Sequence, residues 1–155
     1  MPRFALAALL ALAAAPAVAS AQEAACAGTP AGTRLRLEVT HVRAATGKVV
    51  MTVYPDVPAR FLAPKGKLAR VRLPAVAPVT PGCFELPGPG HYAVAVYHDS
   101  NGNDRFDRSL VGLPAEGYGF SNDAPTPTGL PSFEAVRFAV KAGETTVRIA
   151  MRYPR

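Results

Sequence analysis

Short oxygen-bearing side chains recur just after His98 at a spacing suited to a hard cation. Asp99, Asn101, Asn103, the main-chain carbonyl of Arg105 and Asp107 occupy positions 1, 3, 5, 7 and 9 of a loop begun at Asp99. Calcium takes about six to eight oxygens from loops of this kind. Glu116 is the nearest further carboxylate. The candidate metal set is therefore Asp99, Asn101, Asn103, Arg105, Asp107 and Glu116, with calcium as the cofactor it suits. The pattern departs from a helix-flanked calcium loop: position 6 is Asp104 rather than Gly, position 12 is Leu110 rather than Glu, and no helical period flanks it. Arg105 and Arg108 offset part of the acidic charge. A second reading stands beside the first, in which Asn and Asp cap their own backbone in turns with no metal.

Two further groupings lie close by. In GYGFSND, Gly117 and Gly119 are read as freeing the backbone to turn, while Tyr118 and Phe120 form an aromatic pair. Exposed, the pair would suit a ligand; buried, it would pin the loop to the body of the protein. His98, Asp107 and Glu116, with Asp99 and Tyr118 beside them, offer an acid, a base and a hydrogen-bond donor, the minimum for a small hydrolase or isomerase. Ser121 has no nucleophile-elbow context, and His41, His91 and His98 lack zinc-ligand spacing. A non-enzymatic role is the first expectation.

The elements that must position these residues are strands. In TRLRLEVTHV, Leu35, Leu37 and Val39 alternate with Arg34, Arg36 and Glu38, the period of a half-buried strand. KVVMTVY follows a Thr46-Gly47 turn, so the two are expected to form a hairpin. Ala69, Val71 and Leu73 alternate with Arg70 and Arg72, and CFELP repeats the pattern. HYAVAVYHD is apolar on both faces, which marks a central strand. EAVRFAVKAG and ETTVRIAMRY close the chain around Ala142-Gly143, with Val136, Phe138 and Val140, then Val147, Ile149, Met151 and Tyr153, facing inward. With 16 prolines and 13 glycines punctuating short strands, the fold expected is all-β: a single-domain antiparallel β-sandwich of about seven strands, immunoglobulin-like or prealbumin-like. Residues 100–132 form the longest break in the β pattern, and long loops that persist are commonly functional.

The chain begins with a positive residue, Arg3, an apolar run FALAALLALAAAPAV, and small-x-small sites ending at Ala21. That is the pattern of a secretory leader over residues 1–21, followed by a flexible lead-in, 22–32, and the sandwich domain, 33–155. No later stretch is apolar and long enough to be a transmembrane segment. In an oxidising compartment Cys26 and Cys83 are expected to form a disulfide. The net charge is +6, but the basic residues are scattered and lack interleaved aromatics, so no nucleic-acid partner is expected.

GHYAVAVYHDSNGNDRFDRSLVGLPAEGYGFSNDAP, with PSFEAVRF after it and a closing VRIAMRY, resembles the DUF2141 family of exported bacterial proteins. The features shared are a strand ending Y-H-D, then N-x-N, a following D, G-x-P-x-E-G-Y-G-F-S-N, and P-S-F. The resemblance implies a small β-sandwich, periplasmic or secreted, in the envelope of a Gram-negative bacterium, with no established activity. The expected role is a binding or accessory module with residues 99–123 as its working surface. Its partner would be an envelope component or a small ligand. The alternatives are the small hydrolase or isomerase and a purely structural envelope protein.

Overall fold

A strand that is apolar on both faces needs a neighbour along each edge and a cover over each face. A strand with one charged face belongs where that face meets water. This difference sorts the strands into two sheets. The computed structural model describes residues 25–127 and 129–154. The expected leader, 1–21, lies outside the described residues, as do residues 22–24.

Among the described residues eight strands form the sandwich: β1 (Thr33–Thr40), β2 (Lys48–Pro55), β3 (Ala69–Pro74), β4 (Thr80–Glu85), β5 (Gly90–Asp99), β6 (Gly117–Phe120), β7 (Phe138–Val140) and β8 (Gly143–Ala150). A single helical turn, α1 (Phe133–Val136), precedes β7. One sheet has the order β4-β1-β8; the other runs β3-β2-β5-β6, with β7 also paired to β5. The expected all-β sandwich is therefore observed, with one pair, β1 and β8, running parallel.

Two expected hairpins are corrected. β1 pairs with β4 and β8, not with β2. β7 pairs with β5, while β8 crosses to the other sheet. In both places sequence neighbours face each other across the core instead of sharing an edge. The reason is burial. β2 is buried along six consecutive residues and must be central, whereas β1 alternates buried and half-buried positions. The charged face of β1 stays outside, where Arg34 meets Glu85 at 2.9 Å, Arg36 meets Glu144 at 2.8 Å and Arg148 meets Glu38 at 2.8 Å.

The main core lies between the sheets. Leu35, Leu37, Val39, Phe84 and Ile149 from one side close on Val49, Met51, Val53, Val94 and Val96 from the other. A second, smaller core covers the outer face of the larger sheet. There Tyr54, Ala93, Phe120, Ala124, Phe133 and Val136 are buried, and Phe61 packs edge-on against Tyr54, Phe120 and Phe133. This outer layer gives β5 the two-sided burial its sequence calls for.

Cys26 and Cys83 form the disulfide, and beside it Ala27 bridges to Phe84 in parallel register. The residues leading into β1 are thus stapled along the edge of β4. Closing a loop of 57 residues restricts the unfolded chain and contributes about 4 kcal/mol. Replacing both cysteines by serine is predicted to lower the unfolding free energy by that order. Urea denaturation of the oxidised wild type and the double variant measures it, and reductant should bring the two curves together.

Candidate functional site

β5 ends at Asp99, a carboxylate with no exposed surface. A buried carboxylate requires hydrogen bonds, and this one takes them from the main chain ahead. Asn103 N donates to Asp99 Oδ1 at 3.0 Å and Asp104 N donates to Oδ2 at 2.8 Å. Asn101 Oδ1 accepts from Asn103 N, and Asn103 Oδ1 accepts from Arg105 N, each two residues on. These are the side-chain-to-backbone turns that short Asn and Asp side chains favour. The loop therefore wraps around its own polar groups.

The wrap converges on Asp107. Asn101 Nδ2 donates to Asp107 Oδ2 at 2.7 Å, and Asn103 Nδ2 reaches both Asp107 oxygens at 3.0 and 2.8 Å. Those two amides hold the Asp107 carboxyl below the usual carboxylate range. Asp104, at the place a glycine would be expected, takes up the left-handed conformation itself with φ of 62°, which Asp tolerates better than most residues. Its carboxylate is carried outward to Lys48 at 2.9 Å and Arg72 at 3.3 Å, and the Lys48 ammonium lowers its proton affinity. Arg105 is exposed, and its charge also favours ionised Asp107.

Glu116 closes the structure. It is only 6% exposed, and its two oxygens accept from different segments: Ser100 N at 3.1 Å and Asp107 N at 3.1 Å. One carboxylate thereby ties the end of β5, the middle of the loop and the approach to β6. Between these ties the chain makes a small hairpin. Asp107 O accepts from Ala115 N, Arg108 bridges to Pro114, and Ser109 N donates to Leu113 O. Gly47 packs beneath, so close to the Asp99 carbonyl that a Cβ there would fall within 2.0 Å of it.

The GYGFSND segment is architectural. Gly117 and Gly119 do not turn the chain, as expected from sequence, but lie within β6. They make room across the sandwich: a Cβ on Gly117 would strike the Tyr153 ring at 2.4 Å, and one on Gly119 would strike Ile149 at 2.9 Å. Tyr118 and Phe120 point to the opposite face. Phe120 is buried; Tyr118 is half-buried, with its hydroxyl 3.0 Å from Thr126 Oγ1. The rings continue edge-to-face from Tyr97 to Phe106, Tyr118 and Phe120.

Ser121, Asn122 and Asp123 act as clips, a role their sequence context did not reveal. β6 and β7 share one edge of β5, leaving Val94 between them. Ser121 Oγ fills that gap, accepting from Val94 N at 3.0 Å and donating to Val136 O. Asn122 Nδ2 donates to the carbonyls of Ala135 and Arg137, and Asp123 Oδ1 accepts from Ala150 N. The only advance signal was the SND run itself.

His98 faces the other way from Asp99, into the core, and is 2% exposed. Its Nε2 lies 2.8 Å from the Thr46 carbonyl, which can only accept, so Nε2 carries the proton. Nδ1 lies 2.7 Å from the Tyr153 hydroxyl, from which it accepts when the ring is neutral. Burial pushes the Tyr153 hydroxyl up, which keeps it a donor. Both ring nitrogens are engaged, so His98 has none left to present to a substrate. Two shallow clefts of about 410 and 290 Å³ lie elsewhere, lined by neither His98, Asp107 nor Glu116. Among the described residues no three His, Cys, Asp or Glu side chains come together as a metal set. Any cation here would therefore depend on Asn and carbonyl oxygens as well as carboxylates, a mixture that calcium accepts.

A family model described as "Uncharacterized protein conserved in bacteria (DUF2141)" matches residues 37–148. No curated protein and no solved structure matches the chain.

Glu116→Ala removes the shared acceptor of two part-buried main-chain donors, Ser100 N and Asp107 N, and is predicted to destabilise the protein by about 1–3 kcal/mol in urea unfolding. Glu116→Gln retains one acceptor and should lose less. Acid acts in the same direction. Asp56, held down by Arg137, and Asp104 and Asp107 all bind protons less tightly in the folded chain than in the unfolded one. Their contribution is complete above the ordinary carboxylate range of about 4 and is lost as pH falls through the lowered values. Unfolding midpoints measured from pH 6 down to pH 2 should drop chiefly below that range.

Proposed function

As the chain belongs to the DUF2141 family, we propose that it is an exported binding or accessory module of the bacterial envelope. Residues 99–123 are its working surface, with a weak calcium site in the loop. Export is supported by the leader-like start of the chain and by the Cys26–Cys83 disulfide, a bond typical of oxidising compartments. Among the described residues no helix is long and apolar enough to cross a membrane.

One observation carries the cation reading. Asp99, Asn101 and Asn103 order consecutive main-chain amides through alternate side chains, and the loop closes on a second carboxylate, Asp107. The Asp99, Asn101 and Asn103 side-chain oxygens each accept one of these bonds and keep a further lone pair. Asp99, Asn101, Asn103, the Arg105 carbonyl and Asp107 would hold the ion. Glu116, with both oxygens on main-chain donors, would support the loop from behind. Bound calcium would supply positive charge at the centre of the turn, replacing the amide contacts on Asp107. With only two carboxylates in the set, the proposed dissociation constant is that of extracellular modules, on the order of 10⁻³ to 10⁻⁴ M.

A self-capped loop without metal has its own support, since Asp99, Asn101 and Asn103 already accept main-chain hydrogen bonds and Asp107 already accepts from two side-chain amides. The enzymatic alternative gains none from His98, whose two nitrogens are taken inside the fold.

Calcium titration of the wild type, followed by amide resonances and by melting, separates the two. Shifts are predicted to cluster at residues 99–107. With a dissociation constant of about 1 mM, 10 mM calcium should stabilise the protein by about 1.4 kcal/mol. Asp107→Asn should abolish the response while the protein remains folded. An unchanged spectrum and melting curve at 10 mM calcium would leave the self-capped loop as the correct description.

A further inference from the structure

The smaller cleft, about 290 Å³, lies toward the far end of β2 from the acidic loop. Lys48 at the start of β2 pairs with Asp99, whereas Tyr54, in the cleft wall, is six residues on, about 20 Å along the strand. Leu62, Pro64, Lys65, Lys67 and Arg70 line it as well. Three cations thus stand in the wall and no carboxylate does. Among the described residues none of the three is ion-paired. Asp56, the carboxylate nearest in sequence, is bonded to Arg137 at 2.6 Å, and Glu134 acts on the same guanidinium. Asp104 is taken by Lys48 and Arg72. Unbalanced positive charge around a concave site draws anions.

The loop that forms the cleft is held in a strained path. Leu62 and Lys65 take φ of 57° and 60°, the left-handed region that bulky side chains seldom enter. Such strain persists only where the surroundings over-determine it, and it gathers at sites of function. Here the surroundings are tight. Gly66 N donates to Ala63 O at 3.0 Å, and Leu68 N donates to Val53 O at 2.8 Å. Arg60 Nε donates to Gly66 O at 3.1 Å, and Gly66 packs so near the Arg60 carbonyl that no Cβ would fit. Phe61 anchors the loop against Tyr54, Phe120 and Phe133. Across the cleft, Arg70 Nε donates to Thr52 Oγ1 at 2.8 Å. The three cations are therefore presented on a fixed frame.

We propose that this cleft binds the phosphate group of a small soluble phosphomonoester. The site goes beyond the reading of residues 99–123 as a working surface and uses none of them. Charge selects phosphate over carboxylate. A phosphomonoester brings a charge of about −2 and three acceptor oxygens to the three cations, whereas a carboxylate brings a single charge and two oxygens. Lysine binds phosphate as a point charge and arginine through its planar fork. Burial pushes the Tyr54 hydroxyl, beside Arg70, upward, so it stays protonated at neutral pH. Leu62 and Pro64 supply an apolar wall for a carbon skeleton. A cavity of about 150 Å³ holds benzene, so about 290 Å³ leaves room for one ring and its phosphate.

Titration of the disulfide-bonded protein with phenyl phosphate in calcium-free buffer, followed by amide resonances and calorimetry, tests this. Shifts are expected to cluster at residues 61–70. At pH 5, below the second phosphate pKa of about 6, binding should weaken several-fold. Lys65→Gln with Lys67→Gln should weaken it about tenfold or more. The melting curve should not change, since both residues are exposed. Lys141→Gln, exposed on another part of the surface, should leave binding as it is. Absence of binding, equal binding of the wild type and the Lys65/Lys67 variant, or an equal loss in Lys141→Gln would overturn the inference. Benzoate bound as tightly as phenyl phosphate would overturn the assignment to phosphate. Sedimentation with phosphatidic acid vesicles, without binding of phenyl phosphate, would overturn the assignment to a soluble ligand.

Discussion

Two buried carboxylates hold the loop end of this protein together. Asp99 and Glu116 lie at the end of β5 and just before β6, almost fully out of solvent, and between them they accept four main-chain N–H groups. Charge-assisted bonds of this type are stronger than those between neutral groups, and an unmade partner in a buried place is expensive. The constraint works in both directions. The carboxylates need the loop to satisfy them, and the loop needs the carboxylates to keep a fixed path over a stretch with little apolar surface to bury.

The path of the chain at this end follows from that exchange. Once Asp99 orders the amides of Asn103 and Asp104, the side chains of Asn101 and Asn103 have one direction left, toward Asp107. Once Glu116 fixes Ser100 and Asp107, the intervening chain must return as a hairpin, and its tip must project. The sandwich beneath supplies rigidity through an unusual division of β5. Its inner face carries Tyr92, Val94, Val96 and His98 into the core, while its outer face carries Ala93, Ala95, Tyr97 and Asp99 toward the second layer. A one-residue slip of β5 would place Asp99 inside the core and His98 on the loop side, so the register of this strand sets the geometry of the site.

Much of this was readable in the chain. Period-2 alternation located β1, β3 and β8, and two-sided apolarity placed β5 in the middle of a sheet, because burial leaves a periodic trace in residue type. Strand partners were not readable. β1 and β2, like β7 and β8, are close in sequence yet lie in different sheets, since cross-core packing and edge pairing demand the same alternation. β6 escaped notice because its inward positions are Gly117 and Gly119, whose value lies in the space they leave for Tyr153 and Ile149. The spacing of Asp99, Asn101, Asn103 and Asp107 was legible as a wrap. The bracing role of Glu116 was not, because it depends on a contact across 16 residues with Ser100. His98 entered the sequence reading only in the alternative enzymatic set, and strand alternation turns it inward onto Tyr153 and Thr46.

Backbone amide hydrogen exchange on the calcium-free wild type most directly probes whether these carboxylates preform the cap. Protection is predicted at Ser100, Asn103, Asp104 and Asp107, the four amides that donate to Asp99 and Glu116, and at Ser109 in the hairpin beyond. Exchange of these amides at the rate of an unstructured peptide, with the strands still protected, would contradict it.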